Sequence, residues 1–239
     1  MKIGSTIVTV VRLAVIFLAI LLLAVGACTK APEPEATTTT TLGGAATPED
    51  ALDGLFDAIV QGNYRETALL TFDDQLALMV SLEGFDVADT ASMLRDGLPD
   101  RVSDNFWKSF SAGFPAFAEE DLAGVLVGSG EEFSVEGESF ATVNVALRRS
   151  QGSGDWIARR DVQGRWRLDL FATFGPSFAA PFRQWLAALQ PGADADAARA
   201  ALADQRASLL AALQRQPFGP IGPNTMAEVD SLLLEAGLS

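Results

Sequence analysis

Three observations predict an α+β fold. Apolar residues recur at helical spacing from 48 to 113. From 125 to 170 they alternate at strand spacing between Gly-rich breaks. From 177 onward they return to helical spacing in Ala- and Leu-rich sequence. The predicted architecture is therefore a set of N-terminal helices, a curved antiparallel meander sheet and a C-terminal helical extension.

The chain opens differently. Lys2 and Arg12 come before any acid, and every residue between Arg12 and Cys28 is apolar or Gly. A basic start, an apolar run and small residues before a cleavage point have the form of a signal peptide over residues 1–27. The competing reading is an uncleaved transmembrane helix over 7–27, long enough to span a bilayer but with Arg12 inside the apolar span. Both readings place the body outside the cytoplasm, because the positive charge precedes the apolar run.

V-G-A-C at 25–28 resembles the lipobox of bacterial lipoproteins. The resemblance implies a diacylglycerol on the Cys28 sulfur and cleavage before Cys28. It implies a cell-membrane location, lipid-anchored on the extracytoplasmic side. Each buried methylene of such a chain contributes about 0.8 kcal/mol, and stable anchoring takes two chains or more.

Loss of residues 1–27 leaves 212 residues with 15 basic and 31 acidic side chains, a net charge of −16. So acidic a body is ill suited to nucleic acid. Cys28 is the only cysteine, so no internal disulfide can form, and packing must supply the stability. The chain has no histidine, which excludes Ser-His-Asp and Cys-His catalysis and His-ligated zinc. It has no Gly-rich phosphate loop, CxxC or HExxH pattern, so no cofactor or metal is expected.

Residues 28–47 hold Cys28 and a Thr-, Pro- and Gly-rich run with almost nothing to bury. A disordered tether is expected there, spanning roughly 25 Å as a flexible coil. Folding should start at Thr47-Pro48-Glu49-Asp50, which joins a capping hydroxyl, an N1 proline and first-turn acids. Further helices are expected from Tyr64, over 74–82, over about 89–96 and over 99–113. Strands are expected over 125–127, 132–136, 139–148, 156–162 and 165–170, with Gly128-Ser129-Gly130 as one of the turns. Ala141, Val143, Val145 and Leu147 should share one face. Trp166, Leu168 and Leu170 should point inward, with Arg165, Arg167 and Asp169 outward. Helices follow over 177–190 and 194–214. Thr225-Met226-Ala227-Glu228 reads as a capping box opening the last one.

The opening A-L-D-G-L-F-D-A-I-V-Q-G-N-Y-R-E-T-A-L-L, followed by F-A-T-V-N-V-A-L and G-R-W-R-L-D-L, is similar to the nuclear-transport-factor-2-like cone fold. The resemblance spans about residues 48–175. It implies a cone-like domain over 48–176, with residues 177–239 as an extension packed on it. That fold hosts enzymes such as ketosteroid isomerase and limonene epoxide hydrolase, and also many non-catalytic binders, so fold alone assigns no activity.

An isomerase-like site would need a carboxylate base beside a tyrosine or protonated acid. Tyr64 is the only tyrosine, and packing at the helix break explains it. Asp155, Asp161 and Asp169 are the sheet carboxylates available as bases, and no catalytic residue is assigned. Arg148, Arg149, Arg159, Arg160, Arg165 and Arg167 lie within 20 residues. They either form a face for an anionic ligand or partner or pair with local acids on a solvated sheet face. Phe106, Trp107, Phe110, Phe114, Phe117, Phe171, Phe174, Phe178, Phe182 and Trp185 either line an apolar cavity or pack the core.

The expected function is thus a non-catalytic, membrane-anchored interaction or small-ligand module. Its expected partners are the membrane, through the lipid, and an envelope protein or small apolar ligand. A lipid carrier and a carboxylate-base enzyme are the alternatives.

Overall fold

The computed structural model describes residues 43–148 and 153–237. Cys28, Arg149 and the tether up to residue 42 lie outside the described residues, as does the side chain of Phe117. The described chain is mixed α+β, with an open four-stranded antiparallel sheet in the order β1-β2-β3-β4.

Helix α1 (Pro48–Gln61) starts as its sequence dictates. Thr47 Oγ1 accepts the Asp50 N–H at 3.1 Å, Pro48 takes the first turn, and Gly62 ends the helix at φ 70°. Helices α2 (Tyr64–Leu70), α3 (Asp73–Ser81), α4 (Val87–Asp96) and α5 (Asp100–Ala118) follow. The Asp86 carboxylate caps α4 by accepting the Asp89 N–H at 2.7 Å. Helix α5 continues through Gly113 and Pro115, beyond the expected stop, and ends at Glu119 in the left-handed region.

Strands β1 (Val125–Val135), β2 (Glu138–Leu147), β3 (Ser153–Arg160) and β4 (Trp166–Leu168) form the meander. The two short strands expected before 137 are a single strand. Gly128-Ser129-Gly130 is a bulge within it, since Val127 pairs with Val145 but Gly130 pairs with Val143. The Gly130 N–H left aside by the bulge donates to Glu49 Oε1 at 2.6 Å, from the first turn of α1.

Both faces of the sheet carry buried apolar side chains. Ala141, Val143, Val145, Trp156, Ala158, Trp166 and Leu168 belong to the main core with α1, α3 and α5. Trp156 is its aromatic centre, edge-on to Phe56 at 5.1 Å, Phe174 at 5.0 Å and Phe110 at 6.1 Å. On the opposite face, Val135, Phe140 and Ile157 form a second, smaller cluster with Ala172, Ala207 and Ala211.

Helix α6 (Leu170–Ala188) begins directly after β4 rather than at 177, and holds Pro176 and Pro181 internally. It crosses the 176/177 boundary without a break. The helix expected over 194–214 is two helices, α7 (Ala193–Ala203) and α8 (Arg206–Arg215). The break falls at Gln205, whose side chain turns inward to bond Asp74 and the Ala201 carbonyl. Helix α8 lies along β1 and β2, pairing Arg206 with Glu136 at 2.8 Å and Arg215 with Glu131 at 3.3 Å. Helix α9 (Pro223–Glu235) packs on α6. The expected capping box does not form. The helix opens at Gly222-Pro223 with no side-chain cap, and Glu228 instead accepts from Arg183 at 2.7 Å.

The body also reaches back into the expected tether. Gly44 N–H donates to the Leu69 carbonyl, and Ala45 exchanges two backbone hydrogen bonds with Trp166 at the edge of β4. Gly44 has φ 77°, and a Cβ there would stand 2.7 Å from Arg165 Cβ, so this docking requires glycine.

One turn carboxyl carries a burial cost. Glu83, half-buried after α3, is pushed by burial from its ordinary 4.5 up to about 7. Between those values the unfolded chain gives up its proton while the folded chain keeps it, so stability falls as pH rises. Glu83→Gln should therefore melt with the parent near pH 4 and above it at pH 8. Parallel thermal denaturation at the two pH values reads the difference, and equal melting at pH 8 would refute it.

Candidate functional site

The arginine-rich strands do not present one positive face. Arg159 and Arg160 are neighbours on β3 and so point to opposite sides of the sheet. Arg159 is cross-strand from Arg167, and the two guanidinium groups lie 4.3 Å and 5.9 Å from the centre of the Phe72 ring. Arg159 pairs with Glu138 at 2.9 Å and Asp169 at 3.1 Å. The second contact is close enough for an ion pair but is not aligned as a hydrogen bond. Burial opposes the Arg159 charge, yet Asp169 and Glu138 outweigh it and raise the pKa above the ordinary arginine value.

Three of the others are similarly engaged. Arg167 Nε donates to Asp161 at 2.9 Å, and Arg165 Nη2 donates to the Gly44 carbonyl at 2.6 Å. Arg160 stacks over Trp166 at 4.6 Å and meets Glu132 at 3.1 Å. Arg148 is exposed at the end of β2, and Arg149 lies outside the described residues.

The sheet carboxylates are placed as follows. Asp155 accepts from Asn144 Nδ2 across the strands at 3.1 Å. Asp161 closes the β3–β4 turn, accepting from the Gln163 and Arg165 N–H groups as well as Arg167. Asp169 was expected to face outward and does not: it is 0% exposed. Alternation does put it opposite the main core, but that side is covered by α8 and the start of α6. Asp169 Oδ1 accepts the Ala172 N–H at 2.7 Å, capping α6, and also Gln75 Nε2 at 2.9 Å. Its Oδ2 accepts from Ser208 Oγ at 2.6 Å. Gln75 in turn donates to Gln205 Oε1 and accepts the Leu170 N–H. A local signal for this residue exists, since Asp169 precedes Phe171, Phe174, Phe178 and Phe182 at helical spacing, as an N-cap should.

The aromatic side chains pack on one another. Phe106, Trp107, Phe110, Phe114, Phe171, Phe174, Phe178 and Phe182 are all buried, and Phe171 stacks on Phe182 at 5.2 Å.

A surface cleft of about 310 Å³ lies where the starts of α2, α3 and α5 meet. Its polar lining includes Asn63, Tyr64, Arg65, Asp73, Asp100, Ser103 and Asp104. Burial raises the Asp73 carboxyl above its ordinary range; Arg167 opposes that, while Asp74 and Asp100 reinforce it. The sequence singled out only Tyr64 of this group. The cleft residues come from three helices and share no local motif.

Among the described residues no group of acids is arranged to hold a metal ion, and no helix is long and apolar enough to cross a membrane. The apolar run over 7–27 lies outside them. The chain matches no known family model, no curated protein and no solved structure.

Asp169→Ala removes the acceptor for three donors and leaves Arg159 short of a counter-charge. Breaking such a buried pair costs about 3–5 kcal/mol, a fall of about 10 °C in Tm for a chain of this size. Asp169→Asn keeps a cap for the Ala172 N–H and should fall less. An unchanged Tm for Asp169→Ala would refute the structural role.

Proposed function

We propose that the protein is a lipid-anchored, extracytoplasmic, non-catalytic module. A cone-like α+β body held by Cys28 would bind a small ligand or an envelope partner at its surface. The V-G-A-C sequence at 25–28 supports the anchor. The binding role rests on one observation: the aromatic side chains fill the space between sheet and helices, while the surface cleft is polar. An apolar cargo needs an interior lined by such rings and left empty. Rings packed edge-on around Trp156 leave no such lining there.

The enzyme reading has one observation in its favour, since Tyr64 and Asp73 line the same cleft. An isomerase-type reaction, however, develops negative charge on a substrate oxygen. Asp100 and Asp104 beside Tyr64 would oppose that charge, so binding is the better account.

Cells fed a radiolabelled fatty acid should label the parent chain and leave Cys28→Ser unlabelled. Label retained by Cys28→Ser would overturn the anchor. Native mass spectrometry of the gently purified protein should show no retained apolar ligand. A stoichiometric lipid, seated beyond the acyl groups on Cys28, would favour a carrier instead.

A further inference from the structure

The cleft beside Tyr64 has a chemistry that the core does not need. Liquid water takes about 30 Å³ per molecule, so about 310 Å³ admits a molecule of several heavy atoms. Three carboxylates, Asp73, Asp100 and Asp104, line the cleft with one guanidinium, Arg65, and the Lys108 ammonium stands at its rim, a surplus of one negative charge. None of the three makes a salt bridge among the described residues.

Helix geometry explains part of this. Asp73 and Asp100 are the first residues of α3 and α5, where a negative charge is favourable. It does not explain Asp104, in the second turn of α5. Nor does it explain Ser103, which lines the cleft, is 4% exposed, and whose hydroxyl has no hydrogen-bond partner among the described residues. A buried hydroxyl left without a partner is destabilising, and a ligand that bonds it removes that cost. At the rim, Lys108 Nζ already lies over the Tyr64 ring, 5.6 Å from its centre, so the ring accepts an ammonium group.

We propose that this cleft binds a small organic cation carrying one or two alkylammonium groups. Asp100 and Asp104 act as counter-ions, and the ammonium N–H donates to Ser103 Oγ. This deepens the binding-module reading and rests on it. The surrounding charge assists: residues 48–121 hold sixteen Asp and Glu against Arg65, Arg95, Arg101 and Lys108. A field of that sign concentrates cations at the surface.

The test is calorimetric titration of butane-1,4-diamine into the full chain in mild detergent at low salt. The expected result is saturable binding of one diamine per chain. Ser103→Ala and Asp104→Asn should each weaken it by about tenfold. Asp57→Asn, an exposed acid on α1, should leave it unchanged. Inorganic phosphate should give no saturable heat. Thermal melting of each variant confirms its fold, and the two cleft substitutions are independent, so loss of one fold leaves the other decisive. No saturable heat from the diamine would overturn the proposal. So would equal affinity across the parent and both cleft variants, which would mark diffuse acidity. Either failure leaves the anchor intact, because fatty-acid labelling reads Cys28 alone. A protein that takes up lipid but not diamine would fail the binding-module reading and this proposal separately.

Discussion

The Asp169 carboxylate is the interaction on which the arrangement of the molecule depends. It sits where the meander ends and the C-terminal helices begin, and its partners come from four elements. Gln75 is on α3, Arg159 on β3, Ala172 on α6 and Ser208 on α8. Moving a carboxylate from water into the interior costs several kcal/mol unless charge and hydrogen bonds replace its hydration. Here three donors and one guanidinium do so. Each partner is itself held: Gln75 by Gln205 and the Leu170 N–H, Arg159 by Glu138 and the Phe72 ring. Such a network tolerates little displacement, because any shift exposes a buried donor without its acceptor. It therefore sets where α3 and α8 stand relative to the sheet.

That geometry gives the sheet two occupied faces. The main core lies on the side that alternation indicates, with Val143, Trp156 and Leu168 inward. The other side would be the solvated face of a simple meander. Here α8 returns across it, laying Ala207 and Ala211 on Phe140 and Ile157. Small residues on α8 permit the close approach, and the arginines at its two ends, Arg206 and Arg215, fasten it to Glu136 in the β1–β2 turn and Glu131 on β1. Gly175 serves the same end on α6, where a Cβ would stand 2.7 Å from Leu209.

What the sequence made legible follows the range of each interaction. Thr47, Pro48 and Gly62 act within one turn of their own helix, and α1 forms where they indicate. Strand alternation is local too, so the inward set of β2 was legible. Asp169, Gln75 and Gln205 were not, because their partners lie 94 and 130 residues apart in the chain. A polar residue opposite an apolar face reads as solvated unless one knows that a later helix covers it. The Gly128–Gly130 bulge fails for a related reason. Glycines that mark a turn also mark a bulge, and Glu49, 81 residues away, stabilises the second outcome. The cleft was invisible for the same cause, being assembled from three helix starts.

The distribution of charge follows from these constraints. Arg159, Arg160, Arg165 and Arg167 are engaged within the body, against Glu138, Asp161, Asp169, Glu132 and the Gly44 carbonyl. Arginine suits that role, since its planar fork bonds carboxylates while stacking on rings such as Phe72 and Trp166. With no histidine and few lysines, cations spent on the sheet are not available to the helical half. The acids that start α3 and α5 are kept for their helix ends, where the exposed N–H groups favour them. Where those ends converge, the acids converge as well. A negative recess thus follows from placing the arginines on the strands and the acids at the helix starts, before any demand for a ligand. Ser103 is the part that this account does not produce: an inert recess would have no use for a buried hydroxyl without a partner, and alanine there would cost nothing.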